Sequence, residues 1–175
     1  MVSDNPLESD ASDRQLYCKA IELLARREHS RLELMRKLAP HRALEDEEPI
    51  RSQQRLASVL DGLASNGYQS DERFTEAYVR SRLRKGFGLQ RIAMELAQRG
   101  IADDIAAPVL SDYDNNHGGE LNAADVIFST WQKKFGLPPQ DFKERVKQQR
   151  FLQYRGFSDE EIAQLFDRIE RELHL

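Results

Sequence analysis

Cysteine is almost missing from this chain. Cys18 stands alone, so no internal disulfide can form, and the simple expectation is a reducing, cytosolic location. Long apolar runs are missing as well. No stretch approaches the roughly 20 residues that cross a bilayer. Residues 1–13 carry Asp4, Glu8, Asp10 and Asp13 where a secretory signal needs a basic start and an apolar run. Neither a membrane segment nor an export signal is expected. Glycine and proline are sparse, at 9 and 6 of 175 residues, which excludes collagen-like and low-complexity classes. Alternating β-branched runs of strand length do not occur, so no strands are expected.

The patterns that carry catalysis or metal binding are absent too. His29, His41, His117 and His174 are scattered, without zinc-ligand spacing or cysteine partners. Residues 112–120 open like a calcium loop, but His117 stands where the sixth position needs Gly and Ala123 where the twelfth needs Glu. This stretch reads as a linker. Gly86-Phe87-Gly88 has Arg91 at the third glycine position of a dinucleotide fingerprint, and no strand precedes it. There is no phosphate loop, and no nucleophile–base pair can be assigned. The sequence is read as that of a non-enzyme with no cofactor and no metal.

What the chain has is charge, 32% of its residues, laid over helical periodicity. Its mean hydropathy of −0.69 suits helices that each show much surface to water. After an acidic tail at 1–13, read as disordered, apolar stripes recur at spacings of three and four residues. The first holds Leu16, Tyr17, Ala20, Ile21 and Leu24; the second Leu32, Met35 and Leu38, opened by a capping box of Ser30 and Glu33. An acidic loop over 40–49, bounded by Pro40 and Pro49, leads to Leu56, Val59, Leu60 and Leu63. Phe74, Ala77 and Tyr78 begin a fourth helix; Leu89, Ile92, Ala93 and Leu96 mark a fifth; Ile101, Ile105 and Val109 a sixth. A turn-rich break over 115–119 precedes Ala124, Ile127, Phe128, Trp131 and Phe135, a stripe better suited to core than to stacking bases. Phe142 and Val146 seed an eighth helix. Ile162, Leu165, Phe166, Ile169 and Leu173 give a ninth, behind a second capping box of Ser158 and Glu161.

Two features stand above this pattern. The net charge is only −4, yet residues 73–99 hold seven basic side chains against two acidic ones, and residues 133–155 repeat the same balance. The remainder is strongly acidic, a partition that shapes local fields more than the net value does. The helices also recur in threes. Middle helices begin near Ser30, Gly88 and Asp141, and a Gly–apolar–acid corner appears at Gly67, Gly100 and Gly156.

The segment Arg80-Ser81-Arg82-Leu83-Arg84-Lys85-Gly86-Phe87-Gly88-Leu89-Gln90-Arg91-Ile92-Ala93-Met94-Glu95-Leu96-Ala97-Gln98-Arg99-Gly100-Ile101 resembles the RecX family. The family pattern there is basic residues, Lys-Gly, a second Gly, then an apolar-spaced helix ending in Gly-Ile. Asn66-Gly67-Tyr68 with Asp71-Glu72-Arg73-Phe74, Ala20-Ile21 with Arg26-Arg27-Glu28-His29-Ser30, and Arg150-Phe151-Leu152 with Arg155-Gly156-Phe157 support it more loosely. The likeness runs from about residue 14 to the end. It implies an all-α fold of three tandem three-helix repeats in an elongated, curved array: 14–68 with the acidic loop, 69–114, and 115–175. It also implies a cytoplasmic, monomeric negative modulator that docks in the groove of RecA–DNA filaments, lowers RecA ATPase and strand exchange, and damps SOS-repressor cleavage. Filament growth would be blocked or protomer loss promoted. RecA is the expected partner, with single- or double-stranded DNA as a further partner of the basic segments.

The residues expected to bind the filament are Arg80, Arg82, Arg84, Lys85 and Arg91, then Lys143, Arg145, Lys147 and Arg150. Such side chains suit phosphate contact or forked pairing with carboxylates. A second reading is a helical DNA-binding transcription regulator, with 86–100 as half of a helix-turn-helix. Leu89 and Ile92 stand against it, because they occupy part of the start of the helix that would have to read base edges.

Overall fold

Leucine, alanine and charged side chains at helical spacing leave little alternative to packed helices. The computed structural model describes residues 11–41, 44, 48–115 and 122–173, and every regular element among them is helical. The nine described helices are α1 (Ala11–Leu24), α2 (Arg31–Leu38), α3 (Pro49–Ser65), α4 (Asp71–Arg84), α5 (Leu89–Gln98), α6 (Asp103–Asn115), α7 (Ala123–Lys134), α8 (Phe142–Arg155) and α9 (Asp159–Leu173). The second, fifth and eighth begin one residue beyond the three positions expected from the repeat. Most of the acidic tail, half of the acidic loop and all of the turn-rich break beyond Asn115 lie outside the described residues. α1 starts at Ala11, earlier than its apolar stripe: its first turn is polar, and Asp13 accepts from Arg55 at 2.8 Å.

Two compact units divide the chain. The first takes residues 1–75 and 99–101; the second takes 76–98 and 102–175. In the first, α1, α2 and α3 pack on one another around Leu16, Ala20, Leu34, Leu38, Leu44, Leu56, Val59, Leu60 and Leu63. Each fully buried Leu contributes on the order of 1.5–3 kcal/mol by leaving water. The α2 stripe sits slightly off expectation. Leu34 and Leu38 are the buried pair, while Leu32 and Met35 are half-buried, as suits a short helix covered mainly by α3.

Ser30 caps α2, its side chain accepting from the Glu33 backbone N–H at 3.1 Å. The Glu33 carboxylate does something other than close the expected box. It pairs with Arg27 at 2.9 Å, His29 Nδ1 at 3.1 Å and Arg99 at 3.3 Å. The Ser30 hydroxyl donates to the Arg99 carbonyl at 2.8 Å, so residues 99–101 are tied to the start of α2. At α9 the box is complete in both directions: the Ser158 N–H donates to Glu161 Oε2 and the Glu161 N–H donates to Ser158 Oγ.

In the second unit, α5 packs on α6, and α7, α8 and α9 pack on one another. Its buried side chains include Val79, Leu83, Ile92, Ile127, Trp131, Leu152, Phe157, Leu165 and Phe166. Trp131 is core, as expected. Its indole N–H donates to Gln148 Oε1 at 2.7 Å, and Gln148 Nε2 donates to the Leu137 carbonyl at 3.2 Å. Phe128 and Phe135 of the same stripe are half-buried, and Ala124 is exposed. Not every apolar residue of these helices is buried, and the expected place of Ala77 on the buried face of α4 is corrected. Phe142 is 82% exposed, because α8 buries Gln148 and Leu152 and leaves its first turn in water. Ala77 is exposed too: the buried face of α4 runs through Phe74, Thr75, Val79 and Leu83, and the Thr75 hydroxyl is satisfied by the Asp71 carbonyl at 2.7 Å.

The second unit is closed by a contact of two corners. The Gly88 N–H donates to the Arg155 carbonyl at 3.0 Å. A Cβ on Gly88 would lie 2.2 Å from the Gly156 carbonyl oxygen, and one on Gly156 2.2 Å from Arg91 Cβ. Gly156 also caps α8 in the left-handed region, at φ +90°, which costs other residues energy. Gly88→Ala is expected to destabilise the fold by about 1–3 kcal/mol, lowering the urea midpoint without changing the slope of unfolding. An unchanged midpoint would mean that the two corners do not need this approach.

Candidate functional site

Three helices of the second unit end together. Arg84 is the last residue of α4, Lys134 of α7 and Arg155 of α8. Between these ends lies a cleft of about 230 Å³ whose lining includes Arg84, Lys85, Lys133, Lys134 and Arg155, the hydroxyls of Ser129 and Thr130 and, among the described residues, no carboxylate. Cations in a last helical turn are favoured by the partial negative charge there, roughly −0.5 per helix end. Three such ends cannot balance five full positive charges. The surplus is of the sign that attracts an anion, whether phosphate or carboxylate.

Arg155 is fixed as well as charged. Its Nη1 donates to the Lys85 carbonyl at 3.1 Å, and its guanidinium lies 4.9 Å from the centre of the Phe87 ring. Phe87, which belongs to none of the apolar stripes, is the hub of an arginine cluster. The guanidinium of Arg82 lies 3.7 Å and that of Arg91 4.9 Å from the same ring centre. Glu95 holds these two in place, accepting from Arg82, from Arg91 Nε at 3.1 Å and from the Tyr78 hydroxyl at 2.7 Å. Burial alone pushes the Glu95 carboxyl up, but hydrogen bonds from Tyr78, Arg82 and Arg91 outweigh it and leave the group below its ordinary value.

The expected binding residues therefore separate into three sets. Arg84 and Lys85 line the cleft. Arg82 and Arg91 are half-buried and bound to Glu95. The others are exposed: Arg80 on α4 near Glu76 and Asp112, and Lys143, Lys147 and Arg150 on α8. Arg145, also on α8, pairs with Glu170 at 3.0 Å and lies 4.8 Å from the centre of the Phe166 ring. Three cleft residues, Lys133, Lys134 and Arg155, were counted in the basic segments but not singled out as binding residues. The signal for the first two was the spacing of Ser129 to Lys133 and Thr130 to Lys134, which puts a hydroxyl and an ammonium on one face of α7.

Among the described residues, no group of three or more His, Cys, Asp or Glu is placed to hold a metal ion, and no helix is long and apolar enough to cross a membrane. By class, then, this is an all-helical protein built from three-helix repeats, with a cation-lined surface cleft as its candidate site. Comparison with known proteins makes the assignment specific. The family models for the second and third three-helix domains of RecX match residues 70–110 and 124–166. The regulatory protein RecX of Chromobacterium violaceum is 40% identical over 155 residues, 89% of this chain and 91% of that one. That of Neisseria meningitidis serogroup C is 41% identical over 150 residues, covering 85% and 87%. The crystal structure of RecX from Lactobacillus salivarius shares the fold, with a TM-score of 0.67 at 19% identity over 91% of this chain and 97% of that one. The chain belongs to the RecX family of regulatory proteins.

The Glu95 network makes a pH prediction. A carboxylate whose folded value is depressed adds stability that is present above its unfolded value, about 4.3, and is lost as pH falls through the folded one. Acid unfolding of the parent protein is expected to steepen below pH of about 4.3. Glu95→Gln should flatten that dependence and lower stability at neutral pH. Identical pH profiles for the two would show that Glu95 is not engaged as described.

Proposed function

We propose that this protein is a negative modulator of the RecA recombinase: a cytoplasmic monomer without catalytic activity that binds RecA–DNA filaments and blocks their growth or promotes their disassembly. Reduced ATPase, strand exchange and SOS co-protease activity of RecA follow from fewer active protomers. The repeats are assigned to 14–68, 69–114 and 115–175. Membership of the RecX family supports the partner, and the cleft carries the mode of binding. Five cations without a carboxylate among the lining residues suit the phosphates of filament DNA or an acidic face of RecA. Arg84 and Lys85 act there with Lys133, Lys134 and Arg155. Arg80, Lys143, Lys147 and Arg150 extend the positive field from exposed helix faces, while Arg82 and Arg91 shape the surface through Glu95 and Phe87.

The experiment is a titration of RecA ATPase on single-stranded DNA with substoichiometric protein. Inhibition is expected well below one molecule per RecA. Lys85→Glu with Lys134→Glu should raise the half-inhibitory concentration at least about tenfold, or about 1.4 kcal/mol, with an unchanged circular dichroism spectrum. If the parent protein does not inhibit even in excess, the modulator reading falls. If the double variant inhibits like the parent, the cleft is not the binding site.

A further inference from the structure

We infer that Tyr154 is a stacking platform for an unpaired base of single-stranded nucleic acid whose backbone runs through the basic cleft. This deepens the proposed function and rests on its reading of the cleft as an anion site. Tyr154 sits one residue before Arg155 in the last turn of α8 and is 72% exposed. A phenol ring stabilises a fold chiefly through burial, and this one forgoes most of that.

The ring is not isolated. The guanidinium of Arg91 lies 5.1 Å from its centre, and Arg91 Nη1 donates to the Tyr154 carbonyl at 2.9 Å. Because Glu95 holds Arg91 from the other side, the cation beside the ring is fixed before any ligand arrives. That cation also connects the ring to the cleft. Arg91 and Arg155 each lie 4.9 Å from the centre of the Phe87 ring, and Arg155 lines the cleft. Three contacts of similar length thus lead from the basic cleft to an open aromatic face. A few nucleotides of an unpaired strand span such a path.

The combination selects the ligand class. A cleft of cations without acids recognises any polyanion. A neighbouring open ring with a fixed guanidinium adds something only a ligand with planar π-faces can use. In a duplex those faces are covered by the adjacent pairs, so an unpaired strand fits better than double-stranded DNA. Such stacking is tolerant of sequence, because every base has a π-face.

Fluorescence anisotropy on the full chain tests this, with a short oligothymidylate and an abasic oligomer of equal length as probes. Y154A is expected to weaken oligothymidylate binding roughly tenfold, as base stacking does elsewhere, and to leave abasic binding unchanged. Tyr154→Phe should bind like the parent. Lys134→Ala should weaken both probes and reduce the salt slope by about 0.7. Equal loss on both probes, or no loss on either, overturns the stacking role. So does a parent protein that binds neither probe, and if it still inhibits RecA ATPase, the modulator reading stands while this inference fails. Inhibition lost by Y154A with oligothymidylate binding intact would make Tyr154 a protein contact and also overturn the proposal.

Discussion

The second unit depends on one close approach of backbone to backbone. Gly88 and Gly156 meet where no side chain fits, and the Gly88 N–H to Arg155 carbonyl bond fastens the contact. The corner after α4 is thereby pressed against the corner after α8. Two contacts at the site bridge these same corners. Arg155 reaches the Lys85 carbonyl because the corners touch. Arg91 reaches the Tyr154 carbonyl for the same reason. Phe87, placed between the two glycines of its own corner, becomes the common neighbour of three guanidiniums.

The arrangement sorts basic residues by task, which a charge count cannot do. Arg82 and Arg91 share a single carboxylate and an aromatic ring, so much of their charge is neutralised locally and they tie the junction together. Arg84, Lys85, Lys133 and Lys134 have no carboxylate among their cleft neighbours. They supply the field an anion would meet. Arginine suits the first task because its planar fork bonds and stacks at once, whereas lysine suits the second as a mobile point charge.

Much of this was legible in the sequence. Glycines mark the corners, and the stripes through Leu56–Leu63 and Ile92–Leu96 fall where the buried residues are. The repeat spacing places the starts of α2, α5 and α8 to within one residue. The misses share a physical cause: apolar periodicity cannot find polar groups that are buried because they are satisfied. Gln148 is inside because it accepts from Trp131, and once it defines the inner face of α8, Phe142 is turned to water. Thr75 is inside because its hydroxyl bonds back to Asp71, and Ala77 is left outside. At the site, one-dimensional charge density picked out the two segments that meet at the cleft but weighed Arg82 and Lys85 alike. Glu95 lies 13 residues after Arg82, and nothing local in the sequence says that they pair.

The most direct test of the account is the salt dependence of binding to RecA filaments on single-stranded DNA. If the cation-lined cleft contacts phosphates, affinity falls steeply and log-linearly with salt, at about 0.7 per phosphate contacted. Binding that is tight and flat across salt would contradict an electrostatic cleft and place the recognition on apolar surface instead.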